Sequence, residues 1–230
     1  MKEFFTESVF FGVVISILCY EAGVLMKKKF KMAIFNPLLV SIVLVILFLV
    51  VFDIDYEVYE QGAKYLSYFL TPATVALAVP LYEQIEPLKK NWKAILAGIF
   101  AGTITSAVCV LVMSLIFGLS HEEYVTLLPK SITTAIGMGV SEELGGIVTI
   151  TVAVIVITGV LGNVMAETVY RIFKITEPVA VGIGIGSSSH ALGTAKALEI
   201  GEVEGAMSSL SIAISGLMTV IVANVFANFY

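Results

Sequence analysis

An uncharged stretch near the middle of the chain decides the fold class. Residues 94–119 read AILAGIFAGTITSAVCVLVMSLIFGL, a run of 26 residues without Asp, Glu, Lys or Arg. An α-helix needs ~20 apolar residues to cross the hydrocarbon core of a bilayer, and any spanning segment must satisfy its own backbone hydrogen bonds there. We therefore predict a membrane-spanning helix here and an all-α integral membrane protein overall.

The composition of the whole chain agrees with this prediction. Its 230 residues are 58% hydrophobic and 13% charged, and the mean hydropathy is +0.99. A soluble protein of this composition would lack the polar residues to cover its surface, which excludes a soluble enzyme. The net charge of -5, with 13 Lys and Arg scattered between apolar runs, excludes a basic face for nucleic acid. Cys19 and Cys109 lie in apolar runs and are interpreted as core residues rather than a disulfide or metal site.

Six apolar runs are separated by loops whose charge alternates in sign. Basic loops at residues 27–31, 89–93 and 171–174 are expected on the cytoplasmic side of the membrane. Acidic loops at residues 53–60 and 121–123 are expected outside. The six predicted spans are Ser8–Met26, Leu38–Phe52, Tyr65–Tyr82, Ala94–Leu119, Ile147–Val169 and Ala206–Asn228.

We expect one polytopic membrane domain over residues 1–230. Within it, residues 1–62 form an N-terminal helical pair, residues 63–126 form the third and fourth helices, and residues 127–230 form a core. A short similarity indicates an internal repeat, because TPATVALAVPLYEQ at 71–84 resembles PKSITTAIGMGVSEE from Pro129 onward.

Two segments of the core, Pro129–Gly146 and Val181–Glu199, are too rich in small and polar residues for ordinary spans. Only one good span separates the outer loop at His121 from the inner loop at Arg171, so the first segment must enter and leave on the outer side. The second begins on the inner side and is re-entrant if the acidic turn at residues 199–204 is also inner. Irregular backbone at this depth must be buried in protein or line a cavity, so two opposed segments predict a binding site.

The first polar segment has the composition of an anion site. Its sequence from Pro129, PKSITTAIG, predicts a half-helix started by proline with hydroxyl groups in its first turn. Free N–H groups and about +0.5 of a charge accumulate at such an N-terminus. The candidate ligands are Lys130, Ser131, Thr133 and Thr134. The alternative, that Lys130 extends to the membrane interface and the hydroxyls bond the preceding turn, stays open.

The second polar segment reads GIGIGSSSHALGTAK from Gly182 to Lys196. Its glycines do not form a nucleotide-binding pattern and are interpreted as sites of close helix packing. His190 could be a substrate ligand, a proton-relay group or a histidine satisfied by a neighbouring helix, and it shares a helical face with Thr194. An anion would have its charge countered by Lys130 or Lys196. The candidate substrate ligands are Ser188, Ser189, His190, Thr194 and Lys196.

The sequence contains no motif for catalysis or for a cofactor. We find no Ser/His/Asp order, CxxC, HExxH or Walker loop, so no hydrolase, redox or ATP-driven mechanism is supported. We therefore expect a protein that is not an enzyme and that binds no cofactor and no metal.

The two polar segments resemble a known family. PKSITTAIGMGVSEELGGI, from Pro129, and GSSSHALGTAKALEIGEVEGAMSSL, from Gly186, closely resemble the LrgB/CidB family of antiholin-like bacterial membrane proteins. They are also similar to the C-terminal part of the plant plastidial glycolate/glycerate translocator. The resemblance covers nearly the whole chain and is sharpest from Pro129 to Leu210.

The resemblance implies two classes of function. The family was named for control of murein hydrolase activity and cell lysis, together with a small holin-like partner of the LrgA/CidA type. Relatives in plants and bacteria resemble carriers of small monocarboxylates such as glycolate, glycerate or pyruvate. A pore or regulator has no need of two opposed polar segments, whereas a carboxylate carrier needs them. We therefore expect a secondary transporter or facilitator of small monocarboxylates, with lysis control without transport as the alternative. Because six spans give little scaffold for a moving core, we also expect a homodimer or higher oligomer.

Overall fold

The protein is all-α throughout the residues that its computed structural model describes, which are 8, 10–30, 35–76 and 78–230. This confirms the predicted fold class. Three helices in this part of the chain are long and apolar enough to cross a membrane: Leu88–Phe117, Val148–Ile172 and Glu202–Phe229. The helices are α1 (Phe11–Phe30), α2 (Pro37–Val51), α3 (Tyr56–Ser67), α4 (Leu70–Ala76), α5 (Ala78–Glu83), α6 (Ile85–Phe117), α7 (His121–Leu127), α8 (Thr134–Glu143), α9 (Val148–Ile172), α10 (Pro178–Ile200) and α11 (Glu202–Phe226), followed by a 3-10 turn at Ala227–Phe229.

One predicted span differs from the structure. The run Tyr65–Tyr82 is not one helix, because α3 ends at Ser67 and a turn at Tyr68 and Phe69 precedes α4. The residues that remain up to Tyr82 are fewer than the ~20 that a crossing requires. The other five predicted spans overlap the helices α1, α2, α6, α9 and α11, of which α6, α9 and α11 are the ones that are long and apolar enough to cross a membrane among the described residues.

The chain divides into two compact units, Met1–Ala76 and Leu77–Tyr230. In the first unit, α1 packs against α2 and α3. The approach is close, because a methyl group at Gly23 would lie 2.7 Å from the Pro37 carbonyl oxygen. Asn36 fixes the start of α2 by accepting a hydrogen bond of 2.9 Å from the Leu38 N–H, as an N-cap residue does.

In the second unit, α10 packs most extensively against α11 and also contacts α9 and α6. Glycine makes the contact with α11 possible. A methyl group at Gly182 would lie 2.5 Å from the Glu204 carbonyl oxygen, and one at Gly186 would lie 2.8 Å from the Ser211 Cβ. The prediction that these glycines serve close helix packing is therefore confirmed.

The first polar segment, Pro129–Gly146, contains a turn and the short helix α8; together with the short helix α7 that precedes it, it lies between the long helices α6 and α9. The turn that joins α7 and α8 is buried, with Leu128 3% exposed and Ile132 1% exposed. The predicted helix start at Pro129 is wrong. Pro129 lies in a turn closed by a hydrogen bond from the Ile132 N–H, and Thr133 is extended, so helical geometry begins only at Thr134.

Three buried hydroxyl groups tie this pair of helices to the start of α9. The Thr151 hydroxyl lies 2.9 Å from the Thr126 carbonyl oxygen and 2.7 Å from the Ser141 hydroxyl. The Thr126 hydroxyl in turn accepts a hydrogen bond of 2.8 Å from the Ile147 N–H. Because all three side chains are at most 1% exposed, these bonds replace water that the hydroxyls cannot reach. They hold the turn before α8 in a fixed position.

The second polar segment is a broken helix. α10 is interrupted at His190, whose φ of 42° and ψ of -141° lie in a region that L-residues rarely adopt. The broken form of the predicted segment is therefore confirmed, and the break falls at the histidine that the sequence singled out. Its proposed entry and exit on one side of the membrane stays a prediction.

Candidate functional site

The second unit contains a cavity of about 750 Å³ between α6, the turn before α8 and the first half of α10. Its volume is in the range of small-molecule sites in proteins, which is ~300–1,000 Å³. Side chains from both polar segments reach it, namely Lys130 and Ser131 from the first and Ser188 from the second. The two segments thus contribute to one cavity, and the binding of a substrate there stays a prediction.

One end of the cavity is polar and holds its only lysine among the described lining residues. The Lys130 ammonium group donates a hydrogen bond of 3.1 Å to the Ser131 hydroxyl, which lies 3.0 Å from the Ser106 hydroxyl on α6. Ser131 is 8% exposed, and no ion pair with Lys130 is found in the part of the chain that the structure describes. This end therefore presents a positive charge and two hydroxyls without a neutralising carboxylate, which suits an anion.

The cavity is elongated along α6. It extends from Asn91 to Cys109 on that helix, which is about 27 Å at 1.5 Å per residue. α6 and α10 run parallel here, because Gly98 faces Ile183 and Gly102 faces Ser187. Glu177, at the start of α10, consequently lies at the opposite end from Lys130. Beyond the lysine lies a buried apolar cluster that includes Ala107, Leu128 and Ile132.

The other hydroxyl candidates divide between the cavity and the protein interior. Ser188 lines the cavity, and its hydroxyl donates to the Gly184 carbonyl oxygen at 2.7 Å. Ser189 lies beside a second pocket of about 100 Å³ between α9 and α10. Thr133 and Thr134 form the start of α8 and are not among the lining residues. Their proposed contact with a substrate stays a prediction.

His190 and Thr194 are buried away from the cavity. The His190 Nε2 lies 3.0 Å from the Ile155 carbonyl oxygen on α9; because a carbonyl only accepts, Nε2 carries the proton. The Thr194 hydroxyl lies 2.7 Å from that of Ser208 on α11. Both side chains are at most 4% exposed. This geometry matches the third interpretation of His190, a histidine satisfied by a neighbouring helix.

We predict that His190→Gly is more stable than His190→Ala, the reverse of the usual order in a helix. His190→Ala and His190→Gly both lose the bond to Ile155, but only glycine adopts a φ of 42° freely, and the strain it relieves is ~1–3 kcal/mol. The glycine variant should therefore unfold at the higher temperature in detergent. Ala195→Gly, in the helical part of α10, is the control. At such a position alanine is more stable than glycine, by ~1 kcal/mol. An alanine variant at least as stable as the glycine variant would show that position 190 is unstrained.

Lys196 is engaged elsewhere. Its ammonium group forms ion pairs with Glu167 on α9 and with Glu199 on its own helix, and it does not line the cavity. Of the two lysines proposed as the counter-charge, the structure thus places Lys130 in the cavity and pairs Lys196 with two carboxylates.

Sequence reasoning missed the contribution of α6. Gly98 and Gly102 line the cavity, and both face side chains of α10, Ile183 and Ser187 respectively. Ser106 contacts Ser131 directly, and Cys109 is exposed in the same cavity. Small residues at 94, 98, 101, 102 and 105 fall on one side of this helix, a signal that marks a cavity wall as well as a helix contact.

Comparison with known proteins identifies the family of the chain. Residues 16–229 match the LrgB-like family. The chain belongs to that family. The family contains relatives called "Antiholin-like protein LrgB" in Bacillus mycoides (strain KBAB4), Bacillus cereus (strain B4264) and Bacillus anthracis (strain CDC 684 / NRRL 3495). Each is 39% identical over 225 residues, covering 97% of this chain and 98% of the relative. No solved structure matches the chain significantly.

Proposed function

We propose that this protein is an antiholin-like membrane protein that acts on murein hydrolase activity and cell lysis. The observation that supports this proposal is the match over nearly the full length of relatives that carry the name antiholin-like. In this role it would act in the bacterial plasma membrane with its basic loops in the cytoplasm. A small holin-like membrane protein and further copies of this chain would be its partners.

We also propose that the protein carries small organic anions across the membrane, with monocarboxylates of the pyruvate, glycolate and glycerate class as substrates. This proposal is supported by the cavity rather than by the names of the relatives. A regulator that binds nothing has no use for a lysine that faces a cavity of about 750 Å³ without a carboxylate partner among the described residues, since an unpaired charge inside a membrane protein is costly.

The geometry suggests how such a carrier would work. A substrate carboxylate would accept hydrogen bonds from Lys130 and Ser106 at the polar end of the cavity, where charge-assisted bonds are strongest. The length of the cavity leads toward Asn91, which lies within the basic stretch at residues 89–93 that we expect at the cytoplasmic side. Transport would require α6 and α10 to close at this end and the apolar cluster to part at the other, as in alternating access.

The test is uptake of labelled pyruvate, glycolate and glycerate into liposomes that hold the purified protein, with and without its small holin-like partner. We expect saturable uptake in at least one arrangement. In parallel, a strain without the gene is assayed for autolysis in buffer and for release of three-carbon acids. Altered autolysis together with no uptake by folded protein would leave the antiholin-like function and refute the carrier. Uptake by the protein, together with unchanged autolysis in the strain without the gene, would support the carrier and refute the antiholin-like function.

A further inference from the structure

The cavity is much larger than a three-carbon acid. At ~30 Å³ for each water molecule in the liquid, a volume of about 750 Å³ corresponds to roughly 25 waters. Such an acid bound at Lys130 would occupy only the polar end and leave the rest hydrated. The size of the cavity is thus not explained by the carboxylate group alone.

The wall next to the polar end is apolar. Moving away from Ser106 along α6, the cavity is lined by Gly102, then Ala101 and Gly98, each about one helical turn or less from the last. Across from them lies Ile183 on α10, whose Cγ2 would be 3.5 Å from a methyl group at Gly98. Apart from Ile183, nothing lies within 4 Å of that methyl position. Gly98, Ala101 and Ile183 therefore form an apolar wall of the cavity, one to two turns from the lysine.

We infer that the cavity selects a monocarboxylate with a branched aliphatic or aromatic tail, whose carboxylate lies at Lys130 and whose tail lies in the cavity against the wall formed by Gly98, Ala101 and Ile183. This inference rests on the proposed binding of organic anions and specifies their class. Each methylene moved from water into such a wall raises affinity about fourfold. A tail of three further carbons should therefore raise affinity by at least tenfold over pyruvate.

The chain provides its own reporter of binding. It has two cysteines, of which Cys109 is exposed and lines the polar end of the cavity, whereas Cys19 is buried. In a Cys19→Ser protein, a maleimide therefore reports on Cys109 alone. A bound acid should slow this reaction. We would compare pyruvate with 4-methyl-2-oxopentanoate, which is pyruvate with an added isopropyl group, and with the neutral amide of the latter.

We expect 4-methyl-2-oxopentanoate to half-protect Cys109 at a concentration at least tenfold below that of pyruvate, and the amide not to protect. Gly98→Leu and Ala101→Leu, which fill the cavity beside this apolar wall from two positions, should abolish this difference and leave protection by pyruvate unchanged. Gly139→Leu is the matched control, because a Cβ there meets nothing within 4 Å and Gly139 is outside the cavity.

The outcomes separate this inference from the proposal on which it depends. Equal half-protection by the two acids, with no effect of Gly98→Leu or Ala101→Leu, would overturn the apolar-tail class and leave anion binding intact. Protection by neither acid, together with no uptake into liposomes, would refute the carrier itself. Equal protection by the acid and its amide would show that the tail binds without its charge and would also overturn the inference.

Discussion

Lys130→Met raises the concentration of organic acid that half-protects Cys109 by roughly 10- to 100-fold, because the acids bind more weakly. The expected loss corresponds to a charge-assisted hydrogen bond of ~1.5–3 kcal/mol. Folding should not suffer, because the Lys130 ammonium group bonds only Ser131 among the contacts that the structure gives it and methionine removes a charge that is costly to bury. Binding and thermal stability, measured on the same detergent-solubilised protein, should therefore change independently.

Lys196→Met is the matched control for this substitution. Both lysines lie in polar segments, and the sequence offered either as the counter-charge of an anion. Lys196, however, is paired with Glu167 and Glu199 outside the cavity, so its removal should cost stability and leave Cys109 protection intact. Loss of protection in Lys196→Met, with normal protection in Lys130→Met, would reverse the assignment of the two lysines.

Much of the fold follows from the sequence because the bilayer imposes simple rules. Uncharged runs of sufficient length predicted α6, α9 and α11, and the small polar residues of the other segments predicted irregular backbone. The predicted span at Tyr65–Tyr82 was wrong because average hydropathy does not show where a helix ends. There the turn at Tyr68 and Phe69 interrupts the apolar run.

The site was harder to predict, because it depends on which side of each helix faces inward. Composition singled out His190 and Lys130 alike as ionisable groups in an apolar chain. Only the packing shows that His190 bonds the α9 backbone, whereas Lys130 faces a cavity. Ser106 escaped notice because a single serine in a long apolar helix usually bonds the preceding turn, and its partner Ser131 is distant in sequence.

Gly186→Ala is expected to be the most damaging single-methyl substitution at a glycine of α10. The new Cβ would meet the Ser208 carbonyl oxygen and lie 2.8 Å from both the Ser208 Cα and the Ser211 Cβ. Backbone cannot move aside without shifting α11, and overpacking of this kind costs ~1–3 kcal/mol or more. We expect a large fall in melting temperature or a failure to purify as a monodisperse protein.

Two further glycine substitutions make the comparison quantitative. Gly184→Ala introduces a Cβ that meets the Tyr170 hydroxyl group, and because this is the tip of a side chain that can swing away, the cost should be small. Gly139→Ala meets nothing within 4 Å and should raise stability, since alanine favours a helix over glycine by ~1 kcal/mol. Equal melting temperatures for Gly184→Ala and Gly186→Ala would show that α10 and α11 are not in backbone contact.

The same glycine contacts also predict which neighbour of α10 can move relative to it. At Gly186, α10 is in close contact with the α11 backbone. At Gly159 of α9, the contact with α10 is equally close, because a methyl group there would lie 2.6 Å from the His190 ring. Toward α6 the contacts are looser, at 3.5 Å for Gly98 and 3.2 Å for Gly102, both to side chains. If the cavity opens and closes, α10 should therefore move with α9 and α11 as one body, against α6. Gly102→Ala should then impair transport more than stability, whereas Gly186→Ala should impair both.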